Sequence, residues 1–86
     1  MDRAVSEEEH HQIEKIIKST DGVRGFHDLR TRKMGDMILV DVHIDVDASA
    51  TVKVGHDIAL RAGDQIKREL PVLNVMTHID PMEALF

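Results

Sequence analysis

The clearest pattern along the chain is a strict alternation of apolar and polar residues between positions 37 and 47. Neighbouring side chains of an extended strand point to opposite faces, so this period of two predicts a half-buried β-strand from Met37 to Asp47. The residues predicted to face the core are Ile38, Val40, Val42, Ile44 and Val46. The residues predicted to face the other way are Leu39, Asp41, His43, Asp45 and Asp47.

A first helix is predicted over residues 6–19. Ser6 and Glu9 have the spacing of a capping box, in which each side chain accepts a hydrogen bond from the other residue's backbone N–H. Three isoleucines follow at helical spacing, and the Asp21-Gly22 pair has the turn chemistry that ends a helix. This helix therefore has one apolar stripe with which to cover a sheet.

A second helix is predicted between the central strand and Pro71. Either Ser49 or Thr51 is suited to cap its start, and Pro71 is expected to end it. Apolar residues recur at every fourth position, which predicts a buried stripe. That stripe is made of Val54, Ile58, Ala62, Ile66 and Leu70.

Two further strands complete the predicted order. Residues 23–33 look extended and lead through a turn near Gly35-Asp36 into the central strand, which predicts an antiparallel hairpin. Residues 72–78 form the last predicted strand, which Pro81 is expected to end. The order αββαβ favours an α+β fold in which both helices cover one face of an antiparallel or mixed sheet.

The length of 86 residues fits a single domain, residues 1–86, with a thin core. Domains of this size usually gain stability from a disulfide, a metal ion or a partner subunit. The chain has no cysteine, which excludes disulfides and thiolate metal sites. Metal binding by histidine and carboxylate, oligomerisation, or both remain, and we expect a homodimer that forms without metal.

Charge and composition exclude several functions. With 11 basic against 16 acidic residues the chain carries a formal charge of -5, which disfavours nucleic-acid binding. No apolar run approaches the roughly 20 residues that span a bilayer, so no direct membrane insertion is expected. Hydrolase, phosphate-loop and metalloprotease motifs are absent from the sequence, so an enzyme is not expected.

Six histidines in this cysteine-free, acidic chain suggest a site for a borderline divalent metal. His43 lies on the polar face of the central strand, and His78 and Asp80 are two residues apart in an extended segment, so both point to one side. His27 and His56 also have interpretations without a metal. His27 can be a hydrogen-bonded strand residue, and His56 can be an ordinary surface residue. His10 and His11 are expected to be solvated residues of the first helix.

Four segments, in the same order and with similar spacing, resemble the C-terminal domain of the cation diffusion facilitator family. Together they cover nearly the whole chain. Residues 21–32 are similar to the family's P-G-V-x-x-x-H-D-L-R-x-R segment, with Asp21 in place of the usual proline. Residues 42–46, 55–59 and 75–81 are similar to its second strand, its second helix start and its closing V-x-I-H-x-D/E-P.

This resemblance implies a ferredoxin-like, copper-chaperone-like αββαβ sandwich that forms a homodimer on the cytoplasmic face of a membrane. It implies that the domain binds divalent metal and regulates the transmembrane domain of the same transporter. The transported or sensed metal is expected to be Zn, with Fe, Mn, Co, Ni or Cd as further candidates, and some relatives serve magnetosomes. The implied metal ligands are His27, His43, His56, His78 and Asp80.

Two alternatives belong to other functional classes. The first is a plain dimerisation module whose histidines bind no functional metal. The second is a metallochaperone, but the copper type requires a C-x-x-C pair that this cysteine-free chain lacks.

Overall fold

The computed structural model of the protein describes residues 2–3 and 5–83. Its elements are β1 (Asp2–Arg3), α1 (Glu7–Ser19), β2 (Gly25–Met34), β3 (Met37–Asp47), α2 (Val52–Glu69) and β4 (Val72–Met82). The two helices and the three long strands follow the predicted αββαβ order, so the α+β prediction is confirmed. The short strand β1 is an addition that the sequence pattern did not predict.

The start of α1 is the predicted capping box. Ser6 Oγ accepts a hydrogen bond from the Glu9 backbone N–H at 3.1 Å, and Glu9 Oε1 accepts one from the Ser6 N–H at 3.4 Å. The helix ends at Ser19, as expected, with Thr20 as its C-cap. The three isoleucines of its stripe are at most 6% exposed, so the predicted face of the helix is the one that packs.

The sheet has the strand order β1-β2-β3-β4. β2 and β3 form the predicted antiparallel hairpin, whereas β3 and β4 run parallel, so the sheet is mixed. The parallel pair follows from the α2 crossover, because a strand that returns through a helix enters the sheet in the same direction. β3 is therefore the central long strand, and both of its edges are hydrogen-bonded.

The core lies between one face of this sheet and the two helices. All five apolar residues of the β3 alternation are at most 5% exposed. They pack against the isoleucines of α1 and against Ile58, Ala62 and Ile66 of α2. In the described part of the chain, both helices lie on this side, which leaves the polar face of β3 open.

The predicted stripe of α2 is wrong at Val54, whose side chain is 47% exposed. A helix turns by about 100° per residue, so positions four apart drift by roughly 40° at each step. A strict four-residue series therefore winds away from the buried face. Gly55 and Ala59 take the buried positions instead, and a Cβ on Gly55 would lie 3.2 Å from Ile79 Cγ2.

Thr51 rather than Ser49 caps α2, because Thr51 Oγ1 accepts a hydrogen bond from the Val54 N–H at 3.1 Å. Ser49 donates instead to Asp47 Oδ1, from its hydroxyl at 2.6 Å and its backbone N–H at 2.8 Å. These hydrogen bonds lower the pKa of Asp47; desolvation opposes them, and the Arg24 guanidinium adds a smaller lowering of the pKa. Asp47 therefore serves the turn between β3 and α2.

The predicted end of β4 is also wrong, because the strand continues through Pro81 to Met82. Pro81 is opposite Val46, and Met82 O accepts a hydrogen bond from the Ala48 N–H at 3.2 Å. β4 is an edge strand, where a residue without an N–H removes no bond to a further strand. This extension places Asp80 inside the sheet.

Gly22 lies in the loop between α1 and β2 and packs closely against α2. Its φ is +93°, and a Cβ there would lie 2.6 Å from Ile58 Cδ1 and 2.8 Å from Ile58 Cγ1. Ile58 is buried, so it has little room to move. We expect Gly22→Ala to lower the free energy of unfolding by about 2–5 kcal/mol, measured by urea denaturation.

Gly35 is the matched control for this substitution. Its φ is +63°, but a Cβ there meets no atom within 4 Å. Gly35→Ala therefore carries only the backbone strain, about 1–2 kcal/mol. Equal losses in the two variants would show that the Ile58 contact contributes nothing.

Candidate metal centre

The open face of the sheet brings histidines and carboxylates into neighbouring rows. His27 of β2 is opposite His43 of β3, which in turn is opposite His78 of β4. The adjacent row contains Asp45 and Asp80. Directly opposed residues of a sheet point to the same face, so all five side chains share the face that the helices leave open.

His27, His43 and His78 form a continuous stack, which we call the histidine row. The ring centroids of His27 and His43 are 4.9 Å apart with an interplanar angle of 25°. Those of His43 and His78 are 4.5 Å apart at 16°. The row spans three strands, so its geometry depends on the register of both strand pairs.

Asp80 joins two members of this row. Its Oδ2 atom is 2.9 Å from His43 Nδ1 and 3.1 Å from His27 Nε2. One ligand atom from each of these three residues lies within 4.8 Å of the other two. We call His27, His43 and Asp80 the Asp80 cluster.

The donor set of the Asp80 cluster fits a borderline divalent cation. Two imidazole nitrogens and one carboxylate oxygen are ligands that Zn²⁺ accepts at about 2.0–2.2 Å. Tetrahedral ligands at that distance are roughly 3.3 Å apart, close to the two separations of 3.1 Å and 2.9 Å between Asp80 Oδ2 and the imidazole nitrogens. Three protein ligands would leave a fourth position of a tetrahedral ion for water or for another side chain.

Each outer histidine of the row also contacts an aspartate that is not a member of the Asp80 cluster. His27 Nδ1 is 3.2 Å from Asp45 Oδ1, and His78 Nε2 is 3.0 Å from Asp41 Oδ1. A carboxylate at one ring nitrogen fixes the tautomer and the orientation of an imidazole whose other nitrogen binds a metal. Asp45 can therefore hold His27 with Nε2 facing Asp80.

The Asp80 cluster is accessible from solvent. The exposed fractions of the side chains are 47% for His27, 34% for His43 and 38% for Asp80. A cation can therefore reach the ligand atoms without opening the core. Asp41 and Asp45 add two further carboxylates beside the histidine row, which favours cations over anions at the ligand atoms.

His78 and Asp80 lie on one face, as expected for residues two apart, and His43 is a partner of both. Asp80 contacts His27 and His43, whereas His78 contacts Asp41 and stacks on His43. Both side chains therefore adjoin His43, and their binding of a common ion stays a prediction.

His56 lies apart from the histidine row. It is an exposed residue near the start of α2, and no contact found among residues 5–83 joins it to the Asp80 cluster. His10 and His11 lie on α1, where His10 Nδ1 is 3.2 Å from Thr31 Oγ1 and His11 Nδ1 is 3.2 Å from Glu14 Oε1. His10 is thus partly buried, not fully solvated as expected.

Asp41 and Asp45 were not among the residues chosen from the sequence as ligands. Both lie two positions from His43 in the alternating strand, so the signal for a shared face was present. The sequence did not reveal which histidine each one contacts, because that depends on the neighbouring strands.

No helix in the described part of the chain is long and apolar enough to cross a membrane. Residues 5–82 match the family model ZT_dimer, described as the cytoplasmic domain of cation efflux proteins. The expected resemblance to cation diffusion facilitators is thereby confirmed, and the matched family is one of transport proteins.

Two curated relatives are cation-efflux pumps named FieF. The protein of Pectobacterium atrosepticum is 32% identical over 85 residues, and that of Escherichia coli strain K12 is 36% identical over 85 residues. Each alignment covers 99% of this chain but 28% of the relative. The chain therefore spans less than a third of the length of these pumps.

Solved structures of the MamM C-terminal domain share the fold. The nickel form of one variant has a TM-score of 0.85 at 24% identity and covers 91% of this chain and 100% of that chain. The cadmium form of another variant has a TM-score of 0.84 at 24% identity, covering 90% and 98%. The family match over residues 5–82 shows that the chain belongs to the cation efflux, or cation diffusion facilitator, proteins and corresponds to their cytoplasmic domain.

Proposed function

We propose that this chain is a divalent-metal-sensing dimerisation domain that regulates a cation diffusion facilitator transporter. The observation that carries this proposal is the Asp80 cluster, in which two imidazoles and a carboxylate from three strands converge on one exposed position. Its ligand atoms lie on β2, β3 and β4, so a bound cation links segments that are distant in sequence. Such a site responds to metal by fixing the geometry of the open face.

The proposed ligands are His27, His43, His56, His78 and Asp80. His78 is included because its ring stacks directly on His43. His56 is included because of the family resemblance, and its exposed position leaves it accessible to an ion or to a partner subunit.

The proposed ion is Zn²⁺, with Fe, Mn, Co, Ni and Cd as alternatives. Imidazole with carboxylate suits all of these borderline or moderately hard cations. The nickel and cadmium forms of the MamM domain support a divalent metal in this fold.

The proposed assembly is a homodimer attached to the transmembrane domain of the same transporter, on the cytoplasmic face of a membrane. The match to a cytoplasmic domain and the short span relative to the FieF pumps support this arrangement. The second candidate is a dimerisation module without a functional metal site. The His–Asp contacts favour it, since each imidazole of the histidine row already has a carboxylate partner.

A calorimetric titration with Zn²⁺ at pH 7.5 and pH 5.5 distinguishes the two candidates, with light scattering to follow the dimer. We expect tight binding at the higher pH and a loss of affinity of at least about tenfold at the lower pH. An imidazole must be neutral to bind a metal, and histidine ordinarily titrates near pH 6.5.

The dimer is expected at both pH values and without metal. Zn²⁺ binding of equal strength at the two pH values would show that carboxylates alone hold the ion. No binding at pH 7.5 by a dimeric chain would leave the dimerisation module as the function.

A further inference from the structure

β2 contains one residue more than β3 beside the Asp80 cluster. His27 is opposite His43, and the next opposed pair is Arg30 with Asp41. The β2 residues of these pairs are three positions apart, while their β3 partners are two apart. Asp28 and Leu29 together therefore face Val42, which is the arrangement of a β-bulge.

This bulge decides which face His27 joins. Residues three apart in a regular strand point to opposite faces. His27 and Arg30 nevertheless share the open face, because each is paired with a β3 residue of that face, His43 and Asp41 respectively. Phe26 and Leu29, also three apart, both pack against the core. Without the extra residue, His27 and Arg30 would lie on opposite sides of the sheet, because a slip of one residue reverses every side chain.

Asp28 occupies the bulge position that needs an unusual backbone. Its φ is 52°, and it is the only residue besides glycine that has a positive φ in the described part of the chain. Aspartate, asparagine and glycine tolerate this left-handed conformation, whereas a β-branched residue strongly disfavours it. Its carboxylate is exposed and is not a member of the Asp80 cluster.

We propose that Asp28 is a positioning residue for the metal centre. The left-handed backbone of Asp28, and not its carboxylate, holds His27 on the open face. This inference rests on the proposed function, because it assigns a role towards the ion. Its structural part, the placement of the His27 ring beside His43, is independent of any metal and can be measured without one.

The test compares Asp28→Val with Asp28→Gly. Valine resists the left-handed conformation, while glycine adopts it freely and removes the carboxylate. The first measurement is the nuclear Overhauser contact between the His27 and His43 ring protons in the metal-free protein. The second is the Zn²⁺ affinity at pH 7.5. Asp28→Val is expected to lose the ring contact and about 10–100-fold in affinity, while Asp28→Gly keeps both.

Gly35→Val is the matched control. Gly35 has a φ of 63° in the turn at the other end of the same hairpin, and a Cβ there meets no atom within 4 Å. The substitution therefore puts the same kind of backbone strain into the hairpin, away from His27. We expect it to lower the stability of the domain while preserving the ring contact and the Zn²⁺ affinity.

Three outcomes would overturn the positioning role. They are an intact ring contact in Asp28→Val, loss of the contact in Asp28→Gly, and an equal loss of affinity in Gly35→Val. If Asp28→Val does not fold, Asp28→Ala makes the same comparison with a smaller side chain. If the parent chain shows the ring contact but binds no Zn²⁺, the proposed function fails, and the ring contact alone still decides what Asp28 does.

Discussion

Asp80→Ala is expected to lower the Zn²⁺ affinity of this domain by at least about 10-fold, the low end of what loss of a residue that only orients a metal ligand costs, while leaving the metal-free fold intact. Asp80 Oδ2 is the atom that approaches both His43 Nδ1 and His27 Nε2, at 2.9 Å and 3.1 Å. Its removal takes away the proposed anionic ligand and leaves two imidazoles without the carboxylate that contacts both of them. The side chain is 38% exposed, so its loss opens no cavity in the core.

The affinity is measured by calorimetry at pH 7.5, and the fold by the thermal midpoint with and without Zn²⁺. A ligand that binds only the folded state raises the midpoint, so the parent should gain stability with Zn²⁺ and Asp80→Ala should not. Asp64→Ala is the matched control, since Asp64 is an exposed carboxylate of α2 outside the Asp80 cluster.

The neighbouring histidines give a graded comparison. His43→Ala should lower the affinity about as much as Asp80→Ala, since it removes another member of the Asp80 cluster. His78→Ala should lower it less, because His78 Nε2 faces Asp41 at 3.0 Å and not Asp80. If Asp80→Ala bound Zn²⁺ as tightly as Asp64→Ala, the ion would have to be held elsewhere.

Zn²⁺ is expected to narrow or shorten the distribution of distances between the two protomers of the proposed homodimer. The Asp80 cluster offers three ligands on an exposed face, so a fourth can come from a partner subunit. If it does, metal binds one arrangement of the protomers better than the others, and the population shifts towards that arrangement. The shift is limited by the difference in affinity between the arrangements.

Double electron–electron resonance measures this distribution directly. The chain has no cysteine, so a single Lys67→Cys substitution on the exposed side of α2 gives one label in each protomer. The same label in the Asp80→Ala and His78→Ala backgrounds provides the controls, in which the response to Zn²⁺ should disappear or weaken. An unchanged distribution in the metal-saturated parent would contradict sensing and leave a dimerisation module.

Much of the fold could be predicted from local pattern. The alternation from Met37 to Asp47 identifies a strand with one buried face, and Ser6 with Glu9 marks the first helix, because both signals depend on residues close together in sequence. The predictions failed where packing against neighbouring elements decides whether a side chain is buried or where a strand ends. Val54 is exposed because the helix turns it away from the sheet, and Pro81 stays within β4 because that strand lies at an edge.

The features of the candidate site also fall into those that the sequence predicts and those that depend on the tertiary structure. The sequence by itself determined that this chain has histidines and carboxylates on the polar side of a sheet, and the family resemblance selected five of them as ligands. Only the tertiary structure decided that His27, His43 and Asp80 converge, while His56 lies apart on α2. The convergence depends on the bulge at Asp28, the β2–β3 register and the parallel pairing of β4. Register and pairing are set by the packing of distant segments against a common core, which no short window of sequence contains.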